Sequence, residues 1–212
     1  LRLTPCRVNA AGGGVCFRVI GAFKLPELFD LTGNILIATP GLSDDRFSNS
    51  VIVVCAHSQD GAMGLMVNKP TDQVAAADLF DQLSITRSTR MPQLTVYAGG
   101  PVELERGFVL HSPEYKSSIS TLAVTDTLAM TATLDILEDI AEGRGPRQSL
   151  LALGYCGWGA GQLEREIAEN GWLTGEATSD LVFSQPDPRK WELALAAQGI
   201  HPLTLSTAYG RA

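Results

Sequence analysis

Residues 150–170 read LLALGYCGWGAGQLEREIAEN, and this stretch decides how the fold is read. An apolar run over 150–155 meets glycines at 154, 157, 159 and 161, and Gln162 then opens a short amphipathic helix that reaches Asn170. Glycine admits positive φ and close backbone approach, so the pattern predicts a strand, a glycine turn and a helix. The spacing is not a dinucleotide fingerprint. With Gly157 and Gly159 as the first two glycines, the third must fall at 162, which is Gln. No Walker lysine follows, and Glu164 in the first helical turn complements the helix dipole and repels phosphate.

On the N-terminal side, 34–38 (NILIA) predicts a short buried strand stopped by Pro40-Gly41. Residues 50–56 and 62–68 predict a hairpin around His57-Ser58-Gln59-Asp60-Gly61. A helix is expected over 75–83, strands over 94–98 and 107–111, and a second hairpin from 120–124 and 127–130. Residues 134–142 carry helical spacing and end at Gly143. Beyond the glycine segment, 181–183 reads as a late strand. A last helix takes Asp187 as N-cap, Pro188 in its first turn and Gly199 beyond its end. Many short strands with few, irregularly placed helices predict one α+β domain rather than a doubly wound parallel sheet.

The chain has 212 residues, 45% hydrophobic and 18% charged, enough for one domain with a substantial core. Sixteen basic against 23 acidic residues leave a formal charge of −7, which argues against an unaided grip on nucleic acid. No apolar run approaches the ~18 residues of a membrane span. Residues 1–25 form a basic N-terminal extension, with Arg2, Arg7, Arg18 and Lys24 and no acid before Glu27. It reads as an extended start or added edge strand in preference to a targeting leader. Cys6, Cys16, Cys55 and Cys156 make no C-x-x-C pair, and their usage fits a reducing cytosol. Cys55, within VIVVCA, is expected to be buried, and Cys156 is the better candidate for an accessible thiol.

The polar and aromatic residues of the glycine segment, Tyr155, Trp158, Gln162 and Glu164, are what a small-molecule or peptide pocket needs. The competing reading is a Trp that plugs the sheet end, with Gln162 and Glu164 as caps. His57 and His111 each end an apolar strand, so converging strand ends would bring an imidazole to a carboxylate for acid–base work. The plainer reading is a histidine that satisfies a loop carbonyl. Asn68, before Lys69-Pro70, fits a turn cap better than a ligand contact. No H-x-H or H-x-x-x-H pair and no G-x-S-x-G elbow occurs, so neither a metal nor a cofactor is expected.

Four blocks in order, 33–70 (GNILIATPGLSDDRFSNSVIVVCAHSQDGAMGLMVNKP), 97–111 (YAGGPVELERGFVLH), 153–173 (LGYCGWGAGQLEREIAENGWL), and Trp191 with Gly199-Ile200, resemble the AlgH/YqgE family of small bacterial proteins. The likeness runs from about Pro26 to the end, with Cys156 where small Ala-like residues are usual. It implies one domain over 26–212, in which a bent, mostly antiparallel sheet closes into a pseudo-barrel flanked by helices, and a bacterial cytoplasmic setting. The family carries a transcriptional-regulator label and brings no catalytic residues to transfer. Its recurring polar positions correspond to His57, Asn68, His111, Gln162 and Glu164. The absence of a helix-turn-helix signal or basic stripe makes direct DNA contact doubtful. The leading expectation is therefore a non-catalytic domain that binds a small molecule or a protein partner. The alternative is a hydrolase or transferase using a histidine as general base.

Overall fold

A computed structural model describes residues 30–40, 42 and 44–201. The basic N-terminal extension lies outside the described residues. Strand β1 (Asn34–Ala38) is followed by a 3-10 turn at Asp45–Phe47, then by the hairpin of β2 (Val51–Ser58) and β3 (Gly61–Met66). Next come α1 (Ala76–Gln82), β4 (Val96–Ala98), the long β5 (Val102–His111), the short pair β6 (Leu122–Ala123) and β7 (Ala129–Thr131), and α2 (Leu134–Ala141). The chain finishes with β8 (Ser149–Gly159), α3 (Gln162–Ala168), β9 (Trp172–Glu176), a π-helical turn at Asp180–Ser184 and α4 (Asp187–Ala197). Among the described residues no helix is long and apolar enough to cross a membrane.

The strands form one sheet in the order β6-β7-β5-β8-β3-β2-β1-β9, with β4 added beside β8. Every pairing is antiparallel except β4 with β8. The sheet curls into a half-barrel flanked by helices, a single α+β domain. Alternation along β1 and β2 serves both faces. Ile35, Ile37, Val51, Val53 and Cys55 join the largest core cluster, with Leu181, Val182, Ala194 and Leu195 from the C-terminal helical turns. Leu36, Ala38, Ile52 and Val54 pack on the other face with Trp158, Leu163 and Trp172. A third cluster holds α2, through Ile136, Leu137 and Ile140, against Val109 and Leu151. Each fully buried Leu, Ile or Val contributes about 1.5–3 kcal/mol, so these three clusters are the main source of stabilisation among the described residues.

The glycine segment departs from expectation. No turn lies at 154–159, because β8 runs through to Gly159 and only Ala160-Gly161 separates it from α3. Leu150 and Ala152 face the main core, whereas Cys156 and Trp158, at the same parity, face the other cluster. Strand side chains alternate strictly, so something between them must invert the parity. That residue is Gly154, at φ 71°. Opposite it, Val102 pairs with Tyr155 and Gly107 with Leu153, so residues 103–106 bulge outward against Gly154 alone. Strands β4 and β5 both pair with residues 151–153 and therefore lie on opposite edges of β8. The Gly99-Gly100-Pro101 link carries the chain across β8 between them. A Cβ on Gly100 would collide with the Tyr155–Cys156 peptide, and one on Gly154 would meet the carbonyls of Gly100 and Val102.

Three further expectations are corrected. Residues 181–183 are not a strand but part of the π-helical turn. Strand β9 was not anticipated; its WLTGE sequence lacks an alternating apolar face and is ordered by pairing with β1. Helix α4 is capped by Pro186, and Asp187 is its first helical residue.

Candidate functional site

Helix α3 sits across the outer end of β8, with Leu163 buried beneath it. Trp158 leaves β8 toward this helix because of the parity inversion at Gly154, and Gly64 on β3 lies under its ring. Trp172 arrives from β9, next to Ala38 of β1. In a flat sheet, β8 and β9 would be four strand spacings, roughly 19 Å, apart. The curl of the sheet brings the two indole centroids to 6.1 Å, crossed at 82°. Phe47, from the 3-10 turn, stands edge-to-face on Trp172 at 5.6 Å.

Glu166 of α3 joins these rings. Its Oε2 accepts from the indole Nε1–H of Trp158 at 2.9 Å and of Trp172 at 2.8 Å. Its Oε1 accepts from Gln162 Nε2 at 2.8 Å, and Gln162 Oε1 accepts from the Gly159 amide at 3.0 Å. With Trp158 7% and Trp172 2% exposed, both indoles are largely shielded from water, and the carboxylate satisfies the N–H of each. The cleft beside this assembly has a volume of about 440 Å³ and is walled by Phe47, Trp158 and Trp172, with Asp44, Arg46, Gln162, Glu166 and Glu169 among its polar groups. Such a volume suits a small molecule or a large side chain. Arg46 forks onto Asp44, with its closest contact at 2.6 Å. Sequence reasoning missed Glu166, Trp172 and Phe47. The i,i+4 pair Gln162 and Glu166 on one helix face was the available signal.

On the other side of Trp158 is a shallower hollow lined by His57, Ser58, Asp60 and Tyr155. His57 Nε2 lies 3.1 Å from Glu164 Oε1, and its Nδ1 accepts from the Leu31 backbone N–H at 3.0 Å. A backbone N–H can only donate, so Nδ1 presents a lone pair and the ring proton sits on Nε2, facing the carboxylate. Both nitrogens are engaged.

The structure thus brings His57, Tyr155, Trp158, Gln162 and Glu164 together around one end of β8. His111 and Asn68 do not join them. His111 pairs across the sheet with Ser149, at the opposite end of β8 from Trp158, and its side chain is sealed in the interior. There Nδ1 donates to the Ser112 carbonyl at 2.9 Å and Nε2 accepts from Thr131 Oγ1 at 3.0 Å. Burial pushes its pKa below the usual imidazole value, against the opposing pull of the Ser112 carbonyl. Asn68 pins the turn before β2, accepting from the Val51 amide at 2.9 Å and donating to the Asn49 carbonyl at 2.8 Å. Cys156 is not the accessible thiol expected. Burial, with a smaller contribution from Cys55, pushes it up to about 12, and burial does the same to Cys55. Among the described residues no three His, Cys, Asp or Glu side chains are grouped to hold a metal ion.

The curled half-barrel, with its helix-covered aromatic cleft, defines a small α+β domain of one architectural class. The AlgH-like family profile matches residues 35–203, and the chain belongs to that family. A UPF0301 protein of Cereibacter sphaeroides is 53% identical over 183 residues, 86% of this chain and the full length of that protein. One from Ruegeria pomeroyi is 54% identical over 184 residues, with 86% and 100% covered. Among solved structures, the AlgH protein from Pseudomonas aeruginosa superposes with a TM-score of 0.71 at 37% identity, covering 89% of this chain and 100% of that one. A protein from Corynebacterium diphtheriae, 22% identical with a TM-score of 0.64 over 83% and 92% of the two chains, shares the fold.

Proposed function

We propose that this protein is a non-catalytic binding domain whose cleft between Phe47, Trp158 and Trp172 receives a small organic molecule or a side chain of a protein partner. Any regulatory role is then exercised through that occupant, in a cytoplasmic setting as the family resemblance implies, and not through direct DNA contact. The observation that carries this reading is the assembly of two buried indoles on one carboxylate beside a cleft of about 440 Å³. Walls held this firmly lose little entropy when a ligand docks. The hydrolase or transferase alternative needs an imidazole with a lone pair free to take a proton. His57 comes within reach of a carboxylate, which favours that alternative, yet neither His57 nor His111 has an unengaged nitrogen.

A thermal-shift screen of small metabolites tests the binding reading, because a ligand that prefers the folded state raises its melting point. At a hundredfold excess over Kd the gain is about 2.7 kcal/mol. The expected result is a shift lost in Phe47→Ala and kept in Ile119→Ala, an exposed position just before β6, at the far edge of the sheet from β9. Shifts that persist in Phe47→Ala, or none across the screen, would overturn the reading.

A further inference from the structure

We propose that the cleft selects an organic cation, an alkylated ammonium or guanidinium group; this rests on the binding reading above and names the ligand's chemistry. Three carboxylates, Asp44, Glu166 and Glu169, line the cleft against one guanidinium, Arg46. Arg46 is held by Asp44 in a two-pronged contact, so those charges cancel locally. Glu166 is different. Its partners are two indoles and a carboxamide, all neutral, and none of them cancels its charge. A carboxylate has about four lone-pair positions, and three are filled, leaving one on Oε1 for a donor from the cleft.

The same accounting disfavours other ligands. An anion would meet Glu166 and Glu169, and both indole N–H groups are already engaged; beyond one N–H of Gln162, the remaining side-chain donors are those of Arg46, whose charge Asp44 already answers. A metal ion such as Ca²⁺ needs six or more oxygen ligands, which aromatic walls do not supply. A cation with alkyl substituents satisfies both the charge and the walls, since a ring face attracts it and the alkyl groups replace water against the rings. Within the cleft, the Arg46 guanidinium lies 5.8 Å from the centroid of the adjacent Phe47 ring, so one cation already stands near an aromatic wall.

Choline and 3,3-dimethylbutan-1-ol have the same shape and differ in charge, which makes them a matched pair of probes. Titration of each into the full chain is followed by the two indole N–H resonances of Trp158 and Trp172. We expect choline to move both signals and to bind about tenfold more tightly than the alcohol. Glu169→Gln, an exposed position, should weaken choline about two- to threefold and leave the alcohol unchanged, and added salt should likewise weaken choline and not the alcohol. A short peptide carrying one trimethyllysine separates the two sources of such a cation. Affinity well above that of choline assigns the site to a protein side chain, and equal affinity to a free amine. Equal binding of choline and alcohol, or stronger binding of isovalerate, overturns the charge selection while leaving the cleft as a ligand site. Silence from every probe also overturns it, and the metabolite screen then judges the binding reading separately.

Discussion

Replacing Glu166 with alanine removes the single acceptor shared by two indole N–H groups. Trp172 is 2% exposed and Trp158 7%, so neither donor can turn to bulk water without moving its ring. A buried donor left unpaired costs about 1–3 kcal/mol. Two of them would cost about 2–6 kcal/mol, and water entering the adjoining cleft reduces this to the lower half, about 2–4 kcal/mol. Glu166→Gln is the informative companion. Its amide oxygen can still accept both indoles, but its new N–H₂ group faces the Gln162 N–H₂ group that now donates to Oε1. That clash of donors costs about 1 kcal/mol unless Gln162 flips and gives up the Gly159 amide. Urea unfolding followed by tryptophan fluorescence measures both variants, and the indole resonances report the hydrogen bonds directly. Alanine should therefore be clearly worse than glutamine. If alanine costs under about 0.5 kcal/mol, or the two variants are equal, the carboxylate is not what holds the rings, and the reasoning for the cleft fails.

Gly154→Ala places a Cβ at φ 71° and against the carbonyls of Gly100 and Val102, so the melting point should fall by the equivalent of at least about 2 kcal/mol, more than Gly159→Ala. Lys190 is 2% exposed, donates to the carbonyls of Val67 and Val182, and pairs with Asp187 at 2.8 Å. Lys190→Ala leaves that carboxylate without its cation and should cost about 3 kcal/mol in chemical denaturation. Burial lowers the pKa of His111 below the unfolded value of 6.5, so between those two values the unfolded chain binds more protons. Its contribution to stability is complete above pH 6.5 and declines as the pH falls toward the folded pKa. Urea midpoints between pH 8 and pH 5 should show that slope, and His111→Gln should flatten it.

How much of this was legible in the sequence follows from how local each cause is. The hairpin of β2 and β3 was readable because the β-branched run SVIVVCA and the apolar run AMGLMVN flank the turn residues 57–61, and β1 because NILIA is apolar and closed by proline and glycine. The trio 181–183 is equally apolar, yet periodicity cannot tell a three-residue strand from a buried helical turn, and its packing beside α4 decided the matter. Within the site, Trp158, Gln162 and Glu164 were readable because they are close in sequence and carry the right chemistry. His57 met Glu164 only through the pairing of β2, β3 and β8.

By itself the sequence determined the family, the α+β class and most strand and helix positions, because hydrophobic period and turn residues act over a few positions. Only the tertiary structure decided which way Trp158 points. One positive φ at Gly154, forced by the chain crossing over β8, inverts every side chain beyond it and sends the indole to the outer cluster instead of the central core. It likewise decided that Trp172, four strands away across the sheet, shares a carboxylate with Trp158. Sheet curl is a property of all the strands together, and no segment of the chain encodes it alone.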